Sequence, residues 1–399
     1  MAMAGVAFAA ARGYGSDSMT PDKFRVALFS GNYNYTRDGA NQSLNLLVGH
    51  LLDRGVAVRV YSPTSSTPAF PPVGDLVDVP AISMPFRSDY KLGRGLPAKV
   101  RADLEAFAPN IVHVSAPEFL GHAAVRWARD QQVASIASVH TRFETYPAYY
   151  GLGFLAPLII RLLTRFYNKF DRIVAPSPSM IALLRGWGVT PPMDIWSRGI
   201  DHDRFQPSRR SLEWRRSLGI ADHEVAIGFL GRLVKEKGLD VFADALAELR
   251  RRGVPHKVLV IGKGPAEAWF AKATPDAIFA GYQTGDDLGR AVASMDIFFN
   301  PSVTETFGNV TTEAMAAGVP VVAANATGAM DLVVHGGTGF LVEPRDITGY
   351  ADALERIATD AALRHRFSEA GQARVADYRW DKVNEAVIDA YRALFTGRD

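Results

Sequence analysis

Short runs rich in β-branched and aromatic residues alternate with longer stretches of helical periodicity along most of the chain. Residues 24–29 (FRVALF) read as a strand, a polar glycine-containing loop follows over 31–39, and a helical pattern runs over 41–54. Gly55 closes that helix and 56–61 reads as the next strand, so the chain opens as βαβ and predicts a parallel sheet. Further strands are expected at 111–114, 135–139 and 172–175, and 62–72 reads as a surface loop. After Phe205, Gln206 and Pro207 the pattern restarts: strand 225–229, helix 238–252, strand 257–261, strand 297–300, helix 310–317 and strand 319–323, then helices to the end. The fold class this predicts is α/β, as two Rossmann-like doubly wound domains over 24–205 and 206–380, with a last segment 381–399. Ligands of open α/β sheets sit beyond the carboxyl ends of the strands, so the expected site is a cleft between the two domains.

A chain of 399 residues has room for two cores, in keeping with that division. With 48% hydrophobic and 22% charged residues it is neither collagen-like nor of disordered composition. The formal charge of +2 gives no reason to expect wholesale nucleic-acid binding. The absence of cysteine excludes disulfides, thiolate nucleophiles, zinc ribbons and iron–sulfur clusters, and suits a reducing cytoplasm. No stretch approaches the roughly 20 apolar residues of a spanning helix; the longest uncharged candidate, 314–330, is interrupted by Gly318, Pro320, Asn325 and Gly328. Residues 1–23 hold a short apolar run without the preceding basic residue of a secretory signal, and read as a disordered leader with Met19 as a candidate start.

The sharpest constellation of chemistry is residues 301–315, PSVTETFGNVTTEAM, at a strand end running into a helix. A helix N-terminus offers unpaired N–H groups and a positive dipole end, so the backbone around Gly308, Asn309 and Val310 suits a diphosphate. Glu305 and Glu313 bracket it. On one continuous helix their eight-residue rise separates them by about 12 Å, more than the roughly 5–9.5 Å of a glycosidase pair. With Glu305 in the preceding loop that spacing is not fixed, so hydrolysis stays open.

Gly231 and Arg232, with Lys235, Glu236, Lys237 and Gly238, follow the strand 225–229 and put a fork donor and a point charge at a strand end, as a leaving diphosphate requires; a solvated basic turn is the alternative. Gly262 and Gly264 would let backbone approach a nucleotide closely. Glu267 stands where the third glycine of a dinucleotide fingerprint would be, and the 31–39 loop lacks the pattern too, which speaks against a dehydrogenase. His140 ends an apolar strand, where sheet residues meet ligands, whereas His113 lies within a strand and reads as structural. Asp201 and Asp203 imitate a D-x-D metal site on the segment between the domains, which leaves metal binding open there.

Residues 152–170 (LGFLAPLIIRLLTRFYNKF) carry Arg161, Arg165 and Lys169 at i+4 spacing, the pattern of an interfacial amphipathic helix or of a core helix with a solvated stripe. Arg87, Lys91, Arg94, Lys99 and Arg101 form a second basic cluster. Anionic lipid would attract both.

Together these residues resemble the family-4 retaining glycosyltransferases of the GT-B fold, from about Phe24 to the C-terminus. The resemblance rests on Glu305 and Glu313, on Gly231-Arg232 with Glu236-Lys237-Gly238, on 262–265 (GKGP), on Val139-His140-Thr141, on Pro176-Ser177 and on 336–342 (GGTGFLV). It implies that the C-terminal domain binds a nucleotide-sugar, the N-terminal domain the acceptor, and that no metal or other cofactor is required. It further implies that Arg232 and Lys237 neutralise the donor diphosphate and that Glu313 holds the ribose. Glu305 and the backbone of Phe307, Gly308, Asn309 and Val310 would meet the sugar and phosphates, with His140 beside the sugar across the cleft. Gly39 precedes Ala40 where many members have a glycine pair, and would close on the phosphates. A C-terminal helix over 382–395 would cross back to the first domain. Within the family the chain is similar to plant-type sulfoquinovosyl-diacylglycerol synthases and bacterial GDP-mannose-dependent α-mannosyltransferases. That implies retaining transfer of a hexose-type sugar (mannose, glucose or glucuronate class) from a UDP-sugar or GDP-sugar to a hydroxyl of a membrane glycolipid precursor. The enzyme would be cytoplasmic and peripheral on an anionic membrane face. A sugar-nucleotide epimerase, a phosphorylase and a non-catalytic nucleotide-sugar-binding module are the rival readings.

Overall fold

The computed structural model describes residues 20–35, 38–84 and 87–396. Up to residue 19 the expected leader lies outside the described residues; Pro21–Lys23 is a short 3-10 turn leading into the first strand. Among the described residues nine strands belong to the first half: β1 Arg25–Phe29, β2 Ala57–Ser62, β3 Asp75–Asp78, β4 Ala81–Met84, β5 Arg87–Gly93, β6 Ile111–Val114, β7 Ala134–Ser138, β8 Arg172–Ala175 and β9 Met193–Ile195. Seven of them form a parallel sheet in the order β3-β2-β1-β6-β7-β8-β9, while β4 and β5 pair antiparallel as a separate hairpin. The second half holds β10 Ala226–Leu230, β11 Lys257–Ile261, β12 Ala277–Gly281, β13 Ile297–Asn300, β14 Val321–Ala324 and β15 Gly339–Val342. These make a second parallel sheet, β12-β11-β10-β13-β14-β15.

Both sheets are covered on both faces, which is why β6, β7, β10, β13 and β14 are buried along their whole length and read as largely apolar runs, interrupted by His113, Ser135, Ser138 and Asn300. Apolar clusters fill the space between each sheet and its helices: Phe29, Val112 and Val125 on one face of the first sheet, Leu28, Leu47 and Val387 on the other. Strand order reverses between β1 and β6 in one sheet and between β10 and β13 in the other. At such a reversal the connections leave on opposite faces, and a crevice opens at the carboxyl ends of the two strands.

The helix Trp380–Arg392 packs against the helix Gly39–Asp53 and the first sheet. Glu385 meets His50 at 3.0 Å and Arg54 at 2.8 Å, Tyr391 Oη lies 2.7 Å from His113 Nδ1, and Trp196 Nε1 donates to Asn384 Oδ1 at 3.1 Å.

Three local departures from the sequence expectation have simple causes. The expected long helix over 152–170 is a 3-10 turn, Gly153–Leu155, followed by the helix Ala156–Tyr167, because Pro157 can occupy only a first turn. The strand expected at 319 begins at Val321, since Val319 N is spent on Ala314 O at 2.9 Å and Pro320 has no N–H. The β4–β5 hairpin occupies part of the segment read only as a basic cluster. No helix among the described residues is long and apolar enough to cross a membrane.

Candidate active site

At the β10/β13 reversal the loop after β10 carries Arg232 and Lys237, and the loop after β13 carries Glu305. Lys237 Nζ lies 2.5 Å from Glu305 Oε1, with both side chains partly buried. Arg232 is exposed, and no hydrogen bond or ion pair engages its guanidinium among the described residues. Gly308, at φ 101°, turns the chain into the helix Asn309–Ala316; only glycine adopts that angle without strain. No side chain caps this helix, so the amides of Asn309 and Val310 stand open to an anion. The N-terminus of the helix Gly39–Asp53 abuts it: a Cβ on Gly39 would lie 3.1 Å from Asn309 Nδ2. Two positive dipole ends thus converge on one place. Phe307 is buried against Tyr378, so only its backbone remains for a ligand.

The carboxylate of Glu313, one turn into the helix, has no hydrogen-bond partner among the described residues. Burial pushes its carboxyl up to about 8, with Arg204 pulling it down and Asp201 pushing it up. Asp201 itself accepts from Arg204 N at 3.0 Å and pairs with the Arg204 guanidinium at 3.1 Å, so the D-x-D segment is a turn closed on an arginine. Among the described residues no group of three or more His, Asp or Glu could hold a metal.

Gly262 and Gly264 admit a close approach of neighbouring backbone. A Cβ on Gly262 would strike Gly231 O at 1.9 Å, and one on Gly264 would strike Leu233 O at 2.3 Å. Leu233 N donates to Lys263 O at 3.0 Å. What comes close to this glycine pair is the backbone of the loop bearing Arg232, which the pair holds in place.

His140 follows β7, its Nε2 2.9 Å from Ser138 Oγ and its Nδ1 3.0 Å from Arg198 Nη2. Burial, then Arg198, then His113 hold its pKa well below the usual histidine value. Thr306 Oγ1 donates to His140 O at 3.0 Å, which sets the histidine next to the Glu305 loop. Around it the two halves are stitched together. Ser177 Oγ donates to Thr306 O at 3.1 Å while capping its own helix, Ser179 Oγ donates to Asp331 Oδ2, and Arg142 Nη1 donates to Thr327 Oγ1 at 2.9 Å.

The first sheet's reversal holds a residue that sequence reasoning missed. Glu118, in the loop after β6, lies over Gly31 in the loop after β1: a Cβ on Gly31 would be 1.8 Å from its Oε1. Burial pushes this carboxyl up to about 7. Its place just past an apolar strand, like that of His140, was the available signal.

The basic residues expected at an acceptor or membrane surface divide. Arg94, Arg161 and Arg165 are exposed, and Arg87 is the first residue of β5. Lys91 turns inward instead, its Nζ 2.5 Å from Thr64 O and 5.8 Å from the Tyr35 ring centre, because a carbonyl and a π face there take the charge. Lys169 leaves the arginine stripe too, lying 3.2 Å from His122 Nδ1. Beside Arg161 and Arg165, Phe154, Leu158 and Leu162 stand more than half exposed at 75%, 55% and 54%.

Two parallel α/β sheets with their strand-order reversals turned to one cleft define the GT-B architecture. A solved sucrose-phosphate synthase from Thermosynechococcus elongatus shares it at TM-score 0.73 and 20% identity, over 94% of this chain and 99% of that one. Residues 37–204 match the model described as Glycosyltransferase Family 4, and residues 211–374 that of glycosyl transferases group 1. The chain is 31% identical to a GDP-mannose-dependent alpha-mannosyltransferase of Mycolicibacterium smegmatis, over 94% of this chain and 98% of the relative. It is 27% identical to a sulfoquinovosyl transferase of Arabidopsis thaliana, over 89% of this chain and 71% of that protein. The chain belongs to the family-4 glycosyltransferases and is a transferase enzyme of the nucleotide-sugar-dependent kind. Nothing supports the epimerase or binding-module readings.

Proposed function

We propose that this enzyme moves a hexose from a nucleoside diphosphate sugar to a hydroxyl of a membrane glycolipid precursor, with retention of anomeric configuration and without a metal. The observation that carries the reading is the β10/β13 reversal, whose loops carry Arg232, the Lys237–Glu305 pair and the uncapped N-terminus at Asn309. Cations and amides aimed at one point stabilise charge as it develops on a leaving diphosphate. The anomeric C–O bond breaks and its electron pair passes to the departing phosphate. The acceptor oxygen forms the new glycosidic bond on the same face, and its proton goes to that phosphate. No protein nucleophile or base is needed, which suits a crevice of cations with its nearest carboxylate already paired. Glu313 would accept from the ribose hydroxyls, and Glu118 faces the acceptor side.

GDP-mannose is the first donor to test, since the M. smegmatis relative is named for it. The exposed Phe154, Leu158 and Leu162 beside Arg161 and Arg165 favour peripheral contact with an anionic lipid surface on the cytoplasmic side. The experiment offers GDP-mannose, UDP-glucose and UDP-glucuronate with diacylglycerol-type acceptors in anionic vesicles, with and without EDTA, and determines the product anomer. The expected product keeps the donor's α configuration and forms equally in EDTA. Inversion would sink the front-side mechanism, and loss in EDTA the metal-free reading.

A further inference from the structure

Arg198, in the segment after β9, is an arginine 4% exposed for which no carboxylate lies within ion-pair distance among the described residues. A buried cation is costly unless something uses its charge and donors. Here its partners are neutral. Nη1 donates to Trp196 O at 2.8 Å and Ser197 O at 3.0 Å, and the guanidinium lies 4.6 Å from the Trp196 ring centre. Nη2 lies 3.0 Å from His140 Nδ1. Burial brings the Arg198 pKa down to about 10, which still leaves it charged at neutral pH.

We infer that Arg198 is a positioning residue that locks His140 as the neutral tautomer protonated on Nε2. The inference rests on the transferase reading only for its consequence, not for the lock. A guanidinium has five donors and no acceptor, so His140 Nδ1 must present its lone pair to it. The ring proton is then on Nε2, whose neighbour Ser138 Oγ at 2.9 Å accepts it. Turning the ring over would put carbons against both partners. Trp196 holds the ring edge-on from the side, with centroids 5.4 Å apart, and is itself anchored through Nε1 to Asn384 on the last helix.

The chemistry follows from the tautomer. With Nδ1 occupied, His140 has no lone pair to give, so it cannot act as a general base toward an acceptor hydroxyl. It can only donate from Nε2, exchanging Ser138 for a substrate oxygen, and it brings no charge to compete with Arg232 and Lys237 for the diphosphate. The other titratable groups around it oppose a second proton or are spoken for. His113 on β6 is tied to Tyr391 on the last helix, Glu144 is paired with Arg142 at 2.7 Å, and Glu305 with Lys237.

The test is imidazole 15N NMR of the full-length protein without substrates, with the His140 signals identified by their loss in His140→Asn. In the wild type they are expected to show one protonated and one lone-pair nitrogen, with the proton on Nε2, unchanged from pH 8 down to pH 5. A proton on Nδ1, or a cation at pH 6, overturns the inference whatever the enzyme's substrates are. In Arg198→Met the pKa of His140 is expected to rise by about one unit or more, because a fixed cation has gone. The acid limb of transfer should rise with it. In Arg198→Lys the tautomer should be partly restored, since an ammonium donates to Nδ1 but cannot span both carbonyls. An unchanged His140 spectrum in a folded Arg198→Met protein also overturns the inference. If Arg198→Met does not fold, the wild-type titration and Arg198→Lys decide.

Discussion

Glu305 Oε1 pairs with the ammonium of Lys237 at 2.5 Å across the β10/β13 crevice, so one of the two cations proposed to meet the leaving diphosphate has a carboxylate partner. On the proposed reading a diphosphate would compete with Glu305 for Lys237, whereas the Arg232 guanidinium has no partner among the described residues. Arg232→Ala and Lys237→Ala are each expected to lower transfer by more than about tenfold. Glu305→Gln should separate the two halves of catalysis. Free nucleoside diphosphate should bind at least as tightly, because Lys237 is released, while transfer falls. Titration calorimetry and initial rates on the same proteins check this, and weaker nucleotide binding in Glu305→Gln would count against the competition.

Glu313 gives a pH prediction with a definite sign. Its carboxyl is raised to about 8 by burial, so the folded protein holds a proton that the unfolded chain releases near the usual glutamate value. The destabilisation from this residue is absent below about pH 4.5, grows as pH rises, and is complete above about pH 8. Glu313→Gln should therefore raise Tm at pH 8 relative to the wild type while showing little difference near pH 4.5, and at the same time weaken nucleotide binding. In the wild type, binding through the ionised carboxylate should strengthen toward pH 8 with release of a proton, read by calorimetry in buffers of different ionisation enthalpy.

Gly31 and Glu118 offer a test on the acceptor side. A methyl on Gly31 would overlap the Glu118 carboxylate and push it from the first sheet's crevice. Gly31→Ala and Glu118→Gln are expected to raise the acceptor KM several-fold and leave the donor KM unchanged, as steady-state kinetics would show. An altered donor KM alone would place Glu118 with the nucleotide instead.

The bonds of Ser179 to Asp331 and of Arg142 to Thr327 hold the cleft in its present degree of closure. Each hydrogen bond contributes about 0.5–1.5 kcal/mol, so losing several should shift the two halves toward a more open form without unfolding them. Ser179→Ala combined with Asp331→Asn should increase the radius of gyration in small-angle scattering and raise donor hydrolysis relative to transfer, since a looser cleft admits water.

Leu158 and Leu162 lie one turn apart on the helix Ala156–Tyr167, beside the exposed Arg161 and Arg165. Leu158→Ser with Leu162→Ser should abolish sedimentation with anionic vesicles, and Arg161→Ala with Arg165→Ala should weaken it most at low salt. Soluble-acceptor activity should survive in both pairs.

The local chemistry was legible in the chain because each signal is carried by neighbours in sequence. Apolar runs buried on both faces marked the parallel strands, and Gly308 before Asn309 marked the start of a helix able to take an anion. The end of a strand marked the position of His140, and the turn beyond the next domain's first strand that of Lys237. What required the fold were contacts between segments far apart in sequence, where periodicity carries no information. Arg198 reads as one more basic residue until the chain returns it to His140, 58 positions away. Glu118 is an ordinary loop acid until β1 and β6 become neighbours, and the close approach of the Gly231 carbonyl to Gly262 is visible only in the fold. Lys91 and Lys169 read from sequence as membrane- or acceptor-facing cations, because sequence shows a charge but not the carbonyl or imidazole that folding brings to it. The sequence by itself thus determined two doubly wound α/β halves and which residue types lie at the strand-order reversal of the second sheet. The tertiary structure alone decided which charges stay free, which are paired and which are buried, because pairing and desolvation depend on distances that only the packed chain sets.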